Sequence, residues 1–174
     1  MPASAEEGRT IMLNWITSRR PRSVLDVGAG CGTYGKLLRQ QHNPPYLIGV
    51  EIWAPYVGKY TLRDIYDLVV VEDVRTFLPE TGICTDVVIF GDVLEHMPEK
   101  DAVSLWDMAR GLARKAIYLS LPVVPCPQGE VHGNPYEEHV VPDWTHERVM
   151  DTFHGITWHW QGTIVGRYEA ARRP

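Results

Sequence analysis

Helix-like and strand-like hydrophobic patterns alternate along the chain. Apolar Met12, Trp15 and Ile16 recur at helical spacing behind Ser4 and Glu7, which match a capping box. This predicts a helix over about 5–19, ended by Pro21. Val24-Leu25-Asp26-Val27 then feeds Gly28-Ala29-Gly30-Cys31-Gly32, a first strand and a glycine turn, with Leu37 and Leu38 on the helix after it. Stretches 46–52 and 68–72 read as the second and third strands, and Pro55 opens a short helix between them. Asp86-Val87-Val88-Ile89-Phe90 is a fourth strand, apolar on both faces as buried parallel strands are.

Pro98 opens a helix whose apolar stripe is Ala102, Leu105, Trp106, Ala109 and Leu112. Stretch 116–123 is a fifth strand. A segment rich in proline and glycine follows, from Pro122 to Pro142, and Asp143 can cap a helix carrying Trp144, Val149, Met150 and Phe153. Two last strands, over about 155–161 and 163–170, lie too close for a helical crossover. Gly162 makes them an antiparallel hairpin, with Trp158 and Trp160 on one face suited to core packing. The alternation predicts an α/β fold layered on a mostly parallel sheet.

Composition narrows the class. The 174 residues are 44% hydrophobic and 22% charged, as in an ordinary globular domain, so one domain over 1–174 is expected. No apolar run approaches the roughly 20 residues that span a bilayer, and residues 1–9 carry no secretory pattern. Cys31, Cys84 and Cys126 give neither a disulfide framework nor a zinc pair, so a cytoplasmic location is expected. The net charge of -5 disfavours nucleic acid as a partner. Arg19, Arg20 and Arg22, with Arg172 and Arg173, are the local exception.

The chemistry concentrates at strand ends. A strand that ends in glycines and starts a helix lets backbone N–H groups approach a ligand with no Cβ in the way. The position three after Gly30 is Thr33, which departs from the G-x-G-x-x-G of dinucleotide sites. Glu51 closes the second strand about 20 residues after the turn, where an acid can take two ribose hydroxyls. Asp73 closes the third strand, where it can read an exocyclic amine together with the Val74 N–H and can also cap a helix, roles that do not exclude each other. Gly91-Asp92-Val93-Leu94-Glu95-His96 follows the fourth strand, beside the crevice where open α/β sheets bind ligands.

In this order and spacing the chain resembles class I S-adenosylmethionine-dependent methyltransferases over nearly its whole length. The resemblance implies a Rossmann-like doubly wound, seven-stranded sheet with a C-terminal antiparallel hairpin, and S-adenosylmethionine as cofactor. It implies that Asp26, Gly28, Ala29 and Gly30 lie under the methionine moiety and that Glu51 holds the ribose. Ile52 or Trp53 would lie against adenine, Asp73 and Val74 would read its edge, and Gly91 and Asp92 would lie beside the cofactor. Gly133-Asn134-Pro135-Tyr136-Glu137-Glu138-His139 and Trp144-Thr145 extend the resemblance.

Asn43-Pro44-Pro45-Tyr46 spells the catalytic motif of amino-methyltransferases acting on DNA bases, which need it after the fourth strand. Here it precedes the second strand and reads as a turn. Glu95-His96, His132 and Glu137-Glu138-His139 could converge on a metal, but none has a zinc-like spacing on one element, so a metal-free site is expected.

The expected activity is methyl transfer to O or N of a small-molecule, sugar or peptide-like acceptor. Two alternatives stay open: a non-catalytic cofactor-binding module, and a nucleic-acid methyltransferase using the arginine cluster. A hydroxyl acceptor needs a base; His139 is the first candidate and His96 the second, with Asp92 beside them. Substrate contacts must come from the N-terminal helix (1–20) and a loop or lid over 124–142. With no second domain, the acceptor is closed in by that lid or by a second copy in a homodimer, or it protrudes from a macromolecule.

Overall fold

The computed structural model describes residues 5–173. In chain order its elements are α1 (Arg9–Ser18), β1 (Ser23–Val27), α2 (Thr33–Arg39), β2 (Tyr46–Glu51), α3 (Ala54–Lys59), α4 (Leu62–Ile65), β3 (Leu68–Val71), α5 (Val74–Thr81), β4 (Thr85–Gly91), α6 (Glu99–Leu112), β5 (Ala113–Pro122), α7 (His146–Thr152), β6 (Ile156–Gln161) and β7 (Val165–Ala171). The strands form one seven-stranded sheet in the order β3-β2-β1-β4-β5-β7-β6. Strands β1 to β5 pair in parallel, and β7 runs antiparallel between β5 and β6. This is the expected doubly wound sheet with its terminal hairpin.

Alternation along β4 explains the two layers. Val88 and Phe90 face one core with α5 and α6; Val87 and Ile89 face the other with α1, α2 and α4. Every residue of β4 is buried, as a central parallel strand requires. On α6, Ala102, Leu105, Trp106 and Ala109 are buried, while Leu112 is partly buried at the end of the stripe. Glu99 and Asp101 stand in the first turn of α6, where negative charge favours the helix dipole. The chain leaves β1 toward β2 on one side and returns to β4 on the other. A crevice therefore opens outside the carboxyl ends of β1 and β4.

Several local expectations change. Helix α1 starts at Arg9, because Gly8 is left-handed at φ 67 and lies against the Trp160 ring. Ser4 of the expected capping box lies outside the described residues. Glu7 does not close such a box: its carboxylate accepts from the backbone N–H groups of Thr163, Ile164 and Val165 at 2.7, 2.8 and 2.9 Å. The cap of α7 is Thr145, whose hydroxyl accepts from Arg148 N at 3.1 Å, while Asp143 pairs with the Arg148 guanidinium. Trp158 is 62% exposed and Trp160 half-buried, since β6 is the sheet edge and its tryptophan face meets residue 8 and solvent. The four-residue α4 had no distinct periodic signal. No helix among the described residues is long and apolar enough to cross a membrane.

Candidate functional site

The glycine turn sits at the crevice. Gly28 and Gly30 have φ of 67 and 52, which side chains with a Cβ rarely adopt. The N–H groups of Gly28 and Ala29 donate to the Val50 carbonyl at 2.9 and 3.0 Å, tying the turn to the end of β2. A Cβ on Gly28 would stand 2.6 Å from Val93 Cγ2, so the loop after β4 closes directly on the turn. Glu51 bridges the same elements: Oε2 accepts from Gly30 N and Oε1 from Trp53 N, each at 2.8 Å. The carboxylate is 4% exposed, and burial pushes its pKa up against the lowering effect of those two N–H groups. Two bonds leave acceptor capacity on both oxygens, because an ionised carboxylate offers about four lone-pair sites.

The cleft encloses about 910 Å³, its open mouth included. Asp26, Gly28, Ala29 and Gly30 form its floor, and Glu51, Ile52, Asp73 and Val74 stand along the β2–β3 side. Gly91, Asp92 and His96 come from the segment after β4. Ten of the eleven expected cofactor residues therefore come together. Trp53 is not among the lining residues; its ring packs on Tyr136 with centroids 6.0 Å apart, and Tyr136 lines the cleft. Asn134 and Glu137 join Tyr136 from the segment expected to cover the site. Motif spacing missed Asn134, Tyr136 and Glu137 as cleft residues, although stretch 133–139 carried part of the resemblance.

Asp26 accepts from the Tyr66 hydroxyl at 2.6 Å, and burial pushes its carboxyl up to about 7. Asp73 caps α5 through Arg75 N at 2.8 Å and also takes Arg75 Nη2 at 2.6 Å, contacts that hold its pKa below the usual range. Both Asp73 oxygens thus face Arg75. The neighbouring Val74 begins α5, so its N–H has no place in the helix ladder. Asp92 takes the left-handed conformation at φ 56. Its carboxylate accepts from the Ser120 hydroxyl and from Ala5 N at 2.9 Å. The fully buried Arg167 donates to the same Ser120 oxygen.

His96 lines the cleft wall; His139 does not. The two rings meet edge to face with centroids 4.8 Å apart. His96 Nδ1 bonds the Glu138 carbonyl at 3.0 Å and His139 Nδ1 the Cys126 carbonyl at 2.5 Å. Burial lowers the His96 pKa, and burial with the nearby Asp92 charge raises that of Glu95 well above the usual range. No single element has ligand spacing, yet Glu95, His96 and His139 come together, with one ligand atom of each within 4.8 Å of the others. His132 is exposed and outside this group.

The other flagged features lie elsewhere. Tyr46 opens β2, paired with Ser23 at the start of β1, so Asn43 to Pro45 leads into the sheet at the end opposite the cleft. Arg19 pairs with Glu169, and Arg22 N donates to Asp86 near the start of β4. None of Arg19, Arg20 and Arg22 lines the cleft.

No protein-family model matches the chain, and no curated protein matches it in sequence. Solved structures do match in fold. The N-terminal domain of EvdMO1 with SAH bound superposes with a TM-score of 0.69 at 14% identity, over 98% of this chain and 83% of that one. The PH0226 protein of Pyrococcus horikoshii OT3 gives 0.71 at 15% identity, over 97% and 92%. Magnesium protoporphyrin IX methyltransferase (ChlM) of Synechocystis PCC 6803 with bound SAM gives 0.64 at 17%, over 94% and 77%. The chain has the class I S-adenosylmethionine-dependent methyltransferase fold.

Proposed function

We propose that the chain binds S-adenosylmethionine in the cleft and transfers its methyl group to an oxygen or nitrogen of a small-molecule, sugar or peptide-like acceptor. Glu51 carries the reading: a buried carboxylate, anchored to the glycine turn and still able to accept, stands where a ribose would present two hydroxyls. The fit extends along the cleft. The left-handed turn at Gly28 and Gly30 leaves backbone without a Cβ along the cleft floor. Solved neighbours of the same fold carry SAM or SAH.

Bound there, the cofactor supplies a methyl group on a positively charged sulfur. The protein's task is then to hold the acceptor in line and exclude water, which can lower the barrier by about 7–11 kcal/mol. Ile52 offers an apolar surface to adenine, and Val74 an open backbone donor to its edge. Asp92 is held rigid by Ser120 and Ala5 at the floor of the acceptor side. In this reading His96 borders the acceptor, beside Tyr136, Asn134 and Glu137 on the cleft wall. Trp53 packs its ring against Tyr136.

Transfer of radiolabel from methyl-labelled S-adenosylmethionine to a panel of hydroxyl- and amine-bearing small molecules tests the proposal. Labelled product that is lost in Glu51→Ala supports it. Tight cofactor binding with no labelled product on any acceptor class favours a non-catalytic binding module instead.

A further inference from the structure

We propose that Glu95, His96 and His139 form a binding site for one divalent first-row metal ion, of the kind zinc represents, at the acceptor end of the cleft. The three offer one carboxylate and two imidazoles, with one ligand atom of each within 4.8 Å of the others. A tetrahedral ion with bonds of about 2.0–2.1 Å needs its ligand atoms roughly 3.3 Å apart. Binding an ion therefore draws the three ligand atoms together by up to about 1.5 Å from the 4.8 Å limit.

Three independent features prepare the site. First, both imidazoles have their Nδ1 on a backbone carbonyl, His96 on Glu138 and His139 on Cys126. A carbonyl only accepts, so each Nδ1 carries the proton and each Nε2 keeps a lone pair. Histidines that bind metal are commonly oriented in this way. Second, Glu95 is 2% exposed and its Oε2 has no hydrogen-bond partner among the described residues. A buried acceptor without a donor is costly, and a cation bound there removes the cost. Third, the two segments are already joined: Val141 N donates to the Glu95 carbonyl at 3.1 Å, and within the loop His139 N donates to Gln128 O at 2.9 Å. The site does not depend on ordering a loose loop.

Two histidines and one carboxylate leave at least one coordination position open on a tetrahedral ion. His96 belongs both to this group and to the cleft wall. An acceptor oxygen entering beside His96 can therefore become a metal ligand, which selects hydroxylated acceptors. Only this consequence rests on the methyl-transfer reading; the metal site itself does not.

The test uses metal alone. Chelator-treated full chain is titrated with zinc by calorimetry and with cobalt(II) by visible absorption, and unfolding is followed with and without zinc. One equivalent should bind, and zinc should raise the melting temperature by mass action. Even partners behind the ligands are commonly worth about 10–100-fold in affinity, so His139→Ala and Glu95→Gln should each weaken binding at least about 100-fold. His146→Ala should leave it unchanged, although His146 and His159 form a second close pair of rings, 4.8 Å apart. No binding and no thermal shift in the unmodified chain overturns the proposal, as does binding that survives both substitutions or is lost only in His146→Ala. Absence of a thermal shift in the unmodified chain overturns the proposal even if a variant folds poorly.

Discussion

Arg167 and Asp92 meet across a single hydroxyl, that of Ser120. Arg167 donates from Nη1 to Ser120 Oγ, and the Ser120 hydroxyl donates to Asp92. The link closes into a ring through residue 5: Arg167 Nη2 donates to the Ala5 carbonyl at 2.6 Å, and Ala5 N donates to Asp92 at 2.9 Å. Arg167 also holds Tyr34 Oη at 2.8 Å and the Glu7 carbonyl at 2.7 Å. One buried cation on β7 thus fixes the segment before α1, the end of β5 and the acidic corner of the cleft.

Replacing Arg167 should therefore unfold the protein more readily. Removing one partner of a buried charge network costs about 3–5 kcal/mol, and at this chain length each kcal/mol is worth roughly 2–4 °C. Arg167→Met should lower the melting temperature by roughly 6–20 °C by calorimetry. Arg167→Lys should recover little, since an ammonium cannot reproduce the fork of five donors. A melting temperature unchanged in both variants would show that the ring carries no stability.

Glu51→Ala should weaken S-adenosylmethionine binding about 10–100-fold, from the loss of charge-assisted hydrogen bonds. Calorimetric titration of both proteins reads the change. Equal affinities would show that Glu51 does not hold the ribose.

Gly28→Ala meets two obstacles, the positive φ of 67 and Val93 Cγ2 at 2.6 Å. Left-handed backbone at a residue with a Cβ costs about 1–3 kcal/mol. Thermal unfolding should show this loss, and Val93→Ala added to Gly28→Ala should restore part of it by relieving the contact. The backbone part should remain. Full recovery in the double variant would assign the whole effect to the contact.

Acid should release the clamp at Glu7. The N–H groups of Ile164, Val165 and Thr163 lower its pKa from 4.5 to about 2. The folded value lies below the unfolded one, so the contribution is fully present above pH 4.5 and is lost as pH falls toward 2. Urea unfolding should separate the unmodified chain from Glu7→Gln at pH 7 and bring them together near pH 2. A gap independent of pH would mean that the charge on Glu7 plays no part.

The sheet was legible because its strands carry their own signal. Stretches such as Val87 to Phe90 are apolar throughout and bounded by turn residues, and Gly162 marks the hairpin. Ten expected cofactor residues line the cleft because they lie at or next to the carboxyl ends of β1 to β4, which converge by topology. The expectation failed where side chains act over long distances. Glu7 looked like a local cap but clamps a turn 156 residues away. Arg167 lies in the last expected strand with nothing local to mark its role, yet it is fully buried. The pairing of His96 with His139 had no sequence spacing to show it, because a loop returning from β5 brings them together. Trp158 failed for the opposite reason: its face of β6 is apolar, but no layer covers it.

Calorimetric titration of the purified chain with S-adenosylmethionine, and separately with its demethylated product, tests the central claim most directly. Saturable binding of each at one site per chain, with a dissociation constant on the order of micromolar and competition between the two, is the predicted result. No heat and no competition, with either ligand at concentrations well above micromolar, would contradict it.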